Sequence, residues 1–272
     1  MSMNKNAPIA IFDSGVGGLS VFKEIEKLMP NENLIYFGDT ARVPYGTRSA
    51  ETIRRFVKSD LDFLFRFAPK LIVVACGTAS CVGAPVLEEE CEHFTSVISP
   101  SAIAAAKTTK SGRIGVISTA ATLKSGAFEN KIKELLPAAE VYTKAAQMFV
   151  NVVENGWIEE DNEIANAVAK EYLKDLKKQH VDTLILGCTH FPLLSKVIQK
   201  QMGEDVTLIS SGYETALAAK MDLEALGLRS DSTVAGTKKF FVSDDLESFC
   251  QLGAVFLGHA IDRDEAELVE VG

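Results

Sequence analysis

Short apolar segments alternate with longer amphipathic ones along almost the whole chain, and this alternation limits the possible folds. The apolar segments predict strands at Ile9–Phe12, Leu34–Phe37, Leu71–Ala75, Val97–Ser99, Ile114–Ser118, Val141–Thr143, Thr183–Gly187, Val206–Ile209 and Phe240–Val242. They are rich in Ile, Val and Leu with little alternation, which is typical of strands buried on both faces. Apolar stripes at helical spacing predict helices between them, most clearly over Ala50–Phe67 and Glu163–Lys178. The repeated strand–helix order predicts an α/β fold with mostly parallel sheets.

The chain also contains a weak internal duplication. Two strands lead into turns of Ser or Thr with Gly, in IAIFDSGVGG from Ile9 and in IGVISTAATLKSG from Ile114. Two later strands each end at a cysteine, Cys76 in LIVVACGTAS and Cys188 in TLILGCTHFP. Chance alone can produce such likeness, because buried parallel strands share a composition. A true duplication predicts two pseudo-symmetric α/β lobes, with both thiols at the strand ends where open α/β sheets bind ligands.

Two places are predicted to separate the lobes. Pro100 and Gly112 flank a predicted helix, and Ser210–Gly212 is predicted to be a loop. Residues 1–98 together with 211–272 then form the first lobe, and residues 99–210 form the second. The acidic segment Asp262–Gly272 lacks a core pattern, so we expect it to be a loose tail.

Composition excludes several classes of protein. The 272 residues carry a net charge of −9, which argues against a general nucleic-acid binder, because phosphate contacts need clustered Lys and Arg. Five cysteines in a chain of this length do not suggest a secreted disulfide scaffold. No signal peptide is recognisable, and no apolar run approaches the roughly 18–20 residues of a membrane span. We therefore expect a cytoplasmic protein with free thiols and no membrane partner.

The turn after the first predicted strand resembles a phosphate-binding loop only superficially. Gly15, Gly17 and Gly18 do not have the G-x-G-x-x-G spacing, so a tight turn whose amides and Ser14 hydroxyl hold a small carboxylate is the better interpretation. Asp13 either caps the following helix or serves as a site acid, and the residues alone leave both readings open. The segment Tyr36–Ser49 is dense in Gly, Pro and polar residues after a strand, which favours ligand contact.

Cys76 and Cys188 are the strongest candidates for chemistry. A cysteine behind a buried strand is most often inert, but both of these are followed by a Thr at the expected ligand edge. Nucleophilic catalysis by Cys188 with His190 and either Asp13 or Glu154 is an alternative, although it leaves Cys76 without a role.

No metal site is expected from the cysteine and histidine spacing. Cys76, Cys81, Cys91 and His93 lack the paired spacing of zinc ligands, and Cys188 and His190 are not a familiar zinc pair. Cys81, Cys91 and Cys250 are therefore predicted to be packing or surface thiols.

Six motifs in order carry a resemblance to a known family. They are DSGVGG (Asp13–Gly18), YFGDTARVPYG (Tyr36–Gly46), ACGTAS (Ala75–Ser80), GVIST…KSG (Gly115–Gly126), VENGW (Val153–Trp157) and GCTHFP (Gly187–Pro192). With them the chain resembles the glutamate racemases of the aspartate/glutamate racemase superfamily, from Ile9 to about Leu257. The resemblance implies two α/β lobes with the active site between them, and cofactor-independent interconversion of L- and D-glutamate that supplies D-glutamate for peptidoglycan.

The resemblance also implies roles for individual residues. The two catalytic cysteines of the family correspond to Cys76 and Cys188, and its carboxylate and imidazole helpers to Asp13, Glu154 and His190. The implied substrate contacts are Asp13, Ser14, Tyr45, Gly46, Gly77, Thr78, Thr119, Thr122, Thr189 and His190. Glutamate is the implied small-molecule partner and a homodimer the implied assembly, with no cofactor, metal, nucleic acid or membrane.

One position departs from the family pattern. An Asn usually follows the first cysteine, whereas this chain has Gly77, so a side-chain amide that would touch the substrate is missing. Two other functions stay open: a racemase for aspartate or another acidic amino acid, and a hydrolase that uses Cys188 alone. Exchange of the α-proton with solvent distinguishes a racemase from a hydrolase.

Overall fold

The computed structural model describes residues 4–272, which form two parallel β-sheets flanked by helices. The strands are β1 (Ile9–Asp13), β2 (Leu34–Gly38), β3 (Leu71–Val74), β4 (Phe94–Ser96), β5 (Arg113–Ser118), β6 (Glu140–Ala145), β7 (Thr183–Gly187), β8 (Thr207–Ser210), β9 (Lys238–Val242) and β10 (Ala266–Leu268). The helices are α1 (Leu19–Leu28), α2 (Ala50–Phe65), α3 (Gly77–Val82), α4 (Ala84–Glu90), α5 (Ile98–Thr108), α6 (Ala120–Ser125), α7 (Ala127–Leu135), α8 (Met148–Glu154), α9 (Glu163–Lys178), α10 (Ser195–Met202), α11 (Ser211–Ala225) and α12 (Leu246–Leu257). Short 3₁₀ turns cover Thr40–Arg42, Tyr45–Thr47, Phe191–Leu194 and Arg263–Glu265. The predicted α/β class is confirmed.

The two sheets share one strand order, as expected of pseudo-symmetric lobes. The first sheet has the order β10-β9-β2-β1-β3-β4, and the second has the order β6-β5-β7-β8. β5 to β8 therefore repeat the arrangement of β1 to β4, and every strand pair in both sheets is parallel. Cys76 follows β3 and Cys188 follows β7, so the two thiols lie at equivalent sheet edges.

β1 explains why these strands carry so few polar residues. Ile9 and Ile11 face one apolar core, whereas Ala10 and Phe12 face a second core that includes the buried face of α2. Because both faces are covered, burial selects apolar residues at every position. The first core also contains Ile185 of β7, so the two lobes are joined by continuous apolar packing.

Side-chain caps mark the beginnings of the two helices that the sequence predicts most clearly. Ser49 Oγ accepts a hydrogen bond from Thr52 N at 3.2 Å before α2, and Asn162 Oδ1 accepts one from Ala165 N at 3.0 Å before α9. Each cap satisfies an N–H group that the first helical turn leaves unpaired. Within residues 4–272, no helix has the length and apolar character needed to cross a membrane.

The predicted strand Val97–Ser99 is wrong. The strand lies earlier, at Phe94–Ser96, and α5 begins at Ile98. Pro100 lies in the first turn of α5, where its missing N–H costs no helical hydrogen bond. Val97 and Ile98 are buried, but they lie at the start of a helix and not in a strand. A prediction from apolar character alone therefore puts the strand too late in the sequence.

The predicted loop Ser210–Gly212 is also wrong. Ser210 is the last residue of β8, and its Oγ accepts a hydrogen bond from Tyr213 N at 3.5 Å. Ser211 and Gly212 lie in the first turn of α11, and both are buried. The chain therefore passes directly from strand to helix, because the Ser210 side chain caps the helix without an intervening loop.

The predicted loose tail is ordered instead. Residues 266–268 form β10, which pairs in parallel with β9, and Val269 N donates to Val242 O at 2.8 Å. Val269 and Val271 pack against the second apolar core. These two valines follow β10 and place apolar side chains against the core, so the segment is held in place although it is acidic.

Candidate active site

A cavity of about 90 Å³ lies between the lobes, at the carboxyl ends of β1, β3 and β7. Its lining residues are Asp13, Ser14, Gly15, Val16, Val43, Pro44, Tyr45, Gly46, Thr47, Cys76, Gly77, Thr78, Thr119, Thr122, Gln147, Val150, Glu154, Gly187, Cys188, Thr189 and His190. Every residue that the sequence assigns to the site is among them. The volume suits a small metabolite, because cavities for drug-sized ligands measure about 300–1,000 Å³.

Cys76 is fixed by the first lobe. It caps α3, where its Sγ accepts a hydrogen bond from Ala79 N at 3.4 Å, and the thiol donates to Ser14 Oγ, also at 3.4 Å. Burial and the nearby carboxylate of Asp13 raise the pKa of Cys76 to about 12. The resting thiol is therefore protonated at neutral pH.

Asp13 lines the cavity and does not cap a helix. Its Oδ2 accepts a hydrogen bond from Gly15 N at 3.0 Å, and α1 begins later without a side-chain cap. Burial raises the pKa of Asp13, while the charge of His190 and the amide of Gly15 act in the opposite direction. A carboxyl whose pKa is raised accepts a proton more readily than an ordinary one, and such shifts are common at functional sites.

Cys188 is half-buried and has a different set of neighbours. Its Sγ lies 3.9 Å from Nδ1 of His190, and Nε2 of that ring lies 2.9 Å from Glu154 Oε1. Burial alone would lower the pKa of His190, but the contacts with Cys188 and Glu154 outweigh it and raise that pKa to about 10. The ring is therefore an imidazolium at neutral pH.

Gly17 brings the two lobes into direct contact. A Cβ atom at Gly17 would lie 2.4 Å from Thr189 Oγ1 and 2.5 Å from His190 Cε1. A Cβ at Gly18 would lie 2.5 Å from Asp13 Cβ. These two glycines are explained by close approach of the backbone to residues that line the cavity.

A chain of hydroxyl groups also spans the cleft. Thr78 Oγ1 of the first lobe lies 3.4 Å from Thr119 Oγ1 of the second lobe, which lies 3.1 Å from Thr122 Oγ1. Gly77 is next to this chain, because a Cβ atom there would lie 3.3 Å from both Thr122 Oγ1 and Gly187 O. The Thr122 side chain therefore occupies the space beside Gly77 in this protein.

Sequence reasoning missed Gln147 and Val150. Both line the cavity from the beginning of α8, the helix that ends at Glu154. Their spacing from Glu154 is that of one helical face, which is the signal that would have identified them. Val43, Pro44 and Thr47 also line the cavity, within the segment Tyr36–Ser49 that the sequence marks for ligand contact.

The remaining cysteines and cavities offer no comparable chemistry. Across residues 4–272, no group of three or more His, Cys, Asp or Glu side chains is arranged to hold a metal ion, and all five cysteines are free thiols. Cys81, Cys91 and Cys250 pack at the edges of the two cores. A larger cavity of about 630 Å³ lies between α5 and α11, but none of its lining residues is a cysteine or a histidine.

Comparison with known proteins agrees with this geometry. The sequence model of the Asp/Glu/Hydantoin racemase family matches residues 12–219. The chain is 47% identical over 251 residues to a glutamate racemase of Geobacter metallireducens, and the match covers 92% of each chain. The crystal structure of a glutamate racemase isoform from Bacillus anthracis superimposes with a TM-score of 0.92 at 40% identity, covering 98% of both chains. A glutamate racemase from Francisella tularensis in complex with D-glutamate gives a TM-score of 0.89 at 33% identity, again covering 98% of both chains. With its two α/β lobes and a thiol from each facing one cavity, the chain belongs to the Asp/Glu/Hydantoin racemase family.

Proposed function

We propose that this protein interconverts L- and D-glutamate by moving a proton at the α-carbon between Cys76 and Cys188. The observation that carries the proposal is the pair of thiols: each lobe contributes one from an equivalent strand end, and both line one small cavity. The relatives quoted above, which are 33–47% identical to this chain, are named as glutamate racemases. The enzyme is accordingly an amino-acid racemase, an isomerase.

The proton balance of the reaction requires two acid–base groups. A thiolate on one face of the substrate removes the α-proton and becomes a thiol, while the thiol on the other face gives its proton to the α-carbon and becomes a thiolate. One proton leaves carbon and one returns to it, so the product is the mirror image and the two sulfurs have exchanged protonation states. The reverse reaction runs between the same two groups, which is why one residue type can serve both directions.

Each thiol has its own proton-handling neighbours. Asp13 and Ser14 stand beside Cys76, where a carboxyl with a raised pKa is suited to accept the thiol proton before catalysis. His190, held by Glu154, stands beside Cys188, where an imidazolium stabilises negative charge on sulfur. Asp13, Glu154 and His190 are therefore proposed as helpers of the two cysteines.

Stabilisation of the carbanionic transition state is assigned to neutral donors. None of the residues that line the cavity is a Lys or an Arg. The hydroxyls of Ser14, Thr78, Thr119, Thr122 and Thr189 and the amides at Tyr45–Gly46 and Gly77–Thr78 are the groups proposed to hold the substrate carboxylates. Fixed donors in a water-poor cavity stabilise developing charge far more strongly than donors in water do. Two acid–base groups accelerate the reaction by only about 10²–10⁴-fold each. These donors supply the rest of the proposed rate acceleration.

The family resemblance also supports proposals about the biological role and the assembly of this enzyme. D-Glutamate made by this enzyme is proposed to enter peptidoglycan synthesis in the cytoplasm, and the enzyme is proposed to be a homodimer that needs no cofactor. Residues 1–98 with 211–272 are proposed as one lobe and residues 99–210 as the other. Rescue of a D-glutamate auxotroph tests the first statement, and sedimentation velocity tests the dimer.

The decisive experiment uses purified protein treated with a chelator, without any added cofactor. L-Glutamate and L-aspartate are incubated separately in D₂O and followed by circular dichroism and mass spectrometry. We expect loss of the L-glutamate signal together with deuterium at the α-carbon, and little change in L-aspartate. Preferential racemisation of L-aspartate would assign the enzyme to the alternative substrate. A protein that racemises neither amino acid and exchanges no α-proton would refute racemisation.

A further inference from the structure

A buried polar cluster lies directly behind one wall of the cavity. Asp39, Arg42, Tyr45 and Asp60 form it, and the two carboxylates are completely buried. Tyr45 is part of the cavity wall, but its hydroxyl points into the cluster. The mechanism above uses none of these four side chains directly.

The hydrogen bonds of the Tyr45 hydroxyl reveal where a proton must sit. Its oxygen lies 2.5 Å from Asp39 Oδ2 and 2.7 Å from Asp60 Oδ2. A hydroxyl has one proton to donate, and two ionised carboxylates have none. One of the two carboxyl groups must therefore be protonated for both short contacts to be hydrogen bonds.

The other partners identify which carboxyl group carries the proton. Asp39 also accepts hydrogen bonds from Arg42 Nε at 2.7 Å and from Ser243 Oγ at 2.9 Å, as an ionised carboxylate does. Asp60 Oδ1 accepts from Arg42 Nη2 at 2.6 Å, and within residues 4–272 its Oδ2 has Tyr45 as its one hydrogen-bond partner. Burial and the charge of Asp39 also raise the pKa of Asp60.

We propose that Asp39 and Asp60 are positioning residues that fix the segment Val43–Thr47 as a wall of the substrate site. Tyr45 joins them in a proton chain, in which Asp60 Oδ2–H donates to the Tyr45 oxygen and Tyr45 O–H donates to Asp39 Oδ2. The charge of Arg42 balances that of Asp39, and Arg42 Nη1 also donates to Ser59 Oγ and to Gly272 O, each at 3.3 Å. Its effect on substrate rests on the proposed function, whereas the proton chain itself does not.

The position of the segment explains why its fixation matters. A Cβ atom at Gly46 would lie 3.8 Å from Ala121 Cβ in the second lobe and 3.9 Å from Thr78 Oγ1. The segment therefore reaches across the cleft from the first lobe. Arg42 also stacks on the Phe56 ring at 4.7 Å, which ties the cluster to α2. A loosened segment would leave substrate contacts at Tyr45 and Gly46 misplaced, and small misplacements have large effects on binding.

Two isosteric variants separate the proposed roles of the carboxyl groups. In Asp60→Asn, an amide N–H replaces the acid O–H as the donor to Tyr45, so the chain persists and we expect KM and kcat within about twofold of the parent enzyme. In Asp39→Asn, the negative charge that accepts from Arg42 and Tyr45 is lost, and with it the charge that helps to keep the proton on Asp60. We expect KM to rise about tenfold or more, with a smaller change in kcat. Tyr45→Phe breaks the chain without changing charge and is expected to raise KM in the same direction.

An infrared difference spectrum tests the proton itself without any substrate. The carbonyl band of a protonated carboxyl group should disappear in Asp60→Asn. In Asp39→Asn the band should weaken, because the charge of Asp39 helps to keep the proton on Asp60. Glu32→Gln is the matched control, because it removes the charge of Glu32 from its buried ion pair with Lys70, far from the cavity. It should lower Tm and leave KM unchanged.

Three results would overturn the proposal. They are equal effects of Asp39→Asn and Asp60→Asn on KM, an unchanged KM in Tyr45→Phe, and persistence of the infrared band in Asp60→Asn. If Asp39→Asn fails to fold, Tyr45→Phe and the infrared band of Asp60→Asn still decide. If the protein racemises no glutamate, the infrared result alone reports on the chain, so the two failures are distinguishable.

Discussion

Glu154 holds His190 from the outer edge of the cavity, through a 2.9 Å contact between Oε1 and Nε2. The carboxylate is partly exposed at the end of α8, whereas the imidazole is buried. This contact and the one with Cys188 keep the pKa of His190 at about 10, against the lowering effect of burial. The contribution of the imidazolium to stability is therefore complete below about pH 6.5. It is lost as the pH rises through about 10.

Glu154→Gln should lower the pKa of His190, because it removes a negative charge while keeping the side-chain volume. The alkaline limb of the kcat/KM profile, expected near pH 10, should then move to lower pH. The measurement is racemisation of glutamate across pH 6–11 with the ionic strength held constant. Glu160→Gln, in the loop that follows α8, is the matched control and should leave the profile unchanged. An alkaline limb that stays in place in Glu154→Gln would contradict the assignment.

Cys76→Ala and Cys188→Ala should each abolish racemisation and leave the fold intact. Either change removes one of the two acid–base groups, a loss of about 10²–10⁴-fold or more. Steady-state rates in both directions measure the effect, and thermal unfolding checks the fold. Cys91→Ala is the control, since this thiol packs at the edge of the second core and does not line the cavity. Substantial two-way racemisation by either site variant would rule out a two-cysteine mechanism.

Gly77→Ala and Gly77→Asn test the position where the family resemblance implies an Asn. The Cβ atom in both variants would press on Thr122 Oγ1 and Gly187 O at 3.3 Å. We expect Gly77→Ala to raise KM several-fold, because Thr122 must shift. Gly77→Asn should recover part of the loss through an amide contact worth about 0.5–1.5 kcal/mol. If both variants kept the parent KM and kcat, position 77 would have no contact with substrate.

Gly17→Ala should separate the two lobes at the site. Its Cβ would lie 2.4 Å from Thr189 Oγ1, closer than side-chain atoms approach, so Thr189 and His190 must move. We expect kcat/KM to fall by at least about 100-fold, because the reacting groups lose their alignment. Steady-state kinetics give the loss, and far-UV circular dichroism establishes that the secondary structure remains. Near-normal activity would mean that the lobes tolerate a wider cleft.

Asp182→Asn should destabilise the protein at neutral pH more than at acidic pH. Burial would raise the pKa of Asp182, but hydrogen bonds from Thr109 Oγ1, Ser111 N and Lys110 N outweigh it and hold the pKa below its usual range. A depressed pKa contributes stability above about pH 4, and the contribution is lost as the pH falls through the folded-state value.

The side chain of Asp182 is partly exposed, so solvent screening limits the expected loss to about 1 kcal/mol at pH 7. Urea unfolding at pH 7 and at pH 3 measures the difference between the two proteins. An equal difference at both pH values would show that the charge of Asp182 contributes nothing.

The sequence predicts the positions of Cys76 and Cys188 well because topology determines them. A parallel sheet brings the carboxyl ends of its strands to one edge, so residues directly after the strands meet there without any knowledge of packing. Val97 shows the limit of this reasoning, because burial alone does not distinguish the start of a helix from a strand. The sequence does not predict that Asp39 and Asp60 share Tyr45 as a hydrogen-bond partner, for another reason. The two residues come from separate elements, and only tertiary packing joins them through Tyr45.

The two thiols have different neighbours, but thermodynamics limits the effect that this difference can have on catalysis. Asp13 and Ser14 attend Cys76, whereas His190 and Glu154 attend Cys188. Enantiomers have equal free energies in water, so no catalyst can favour one of them at equilibrium. For the proposed reaction, kcat/KM must therefore be the same for L- and D-glutamate, however different the two halves of the site are. Asymmetry can only divide that shared value differently between binding and turnover, so the enantiomer that is held more tightly must also be converted more slowly.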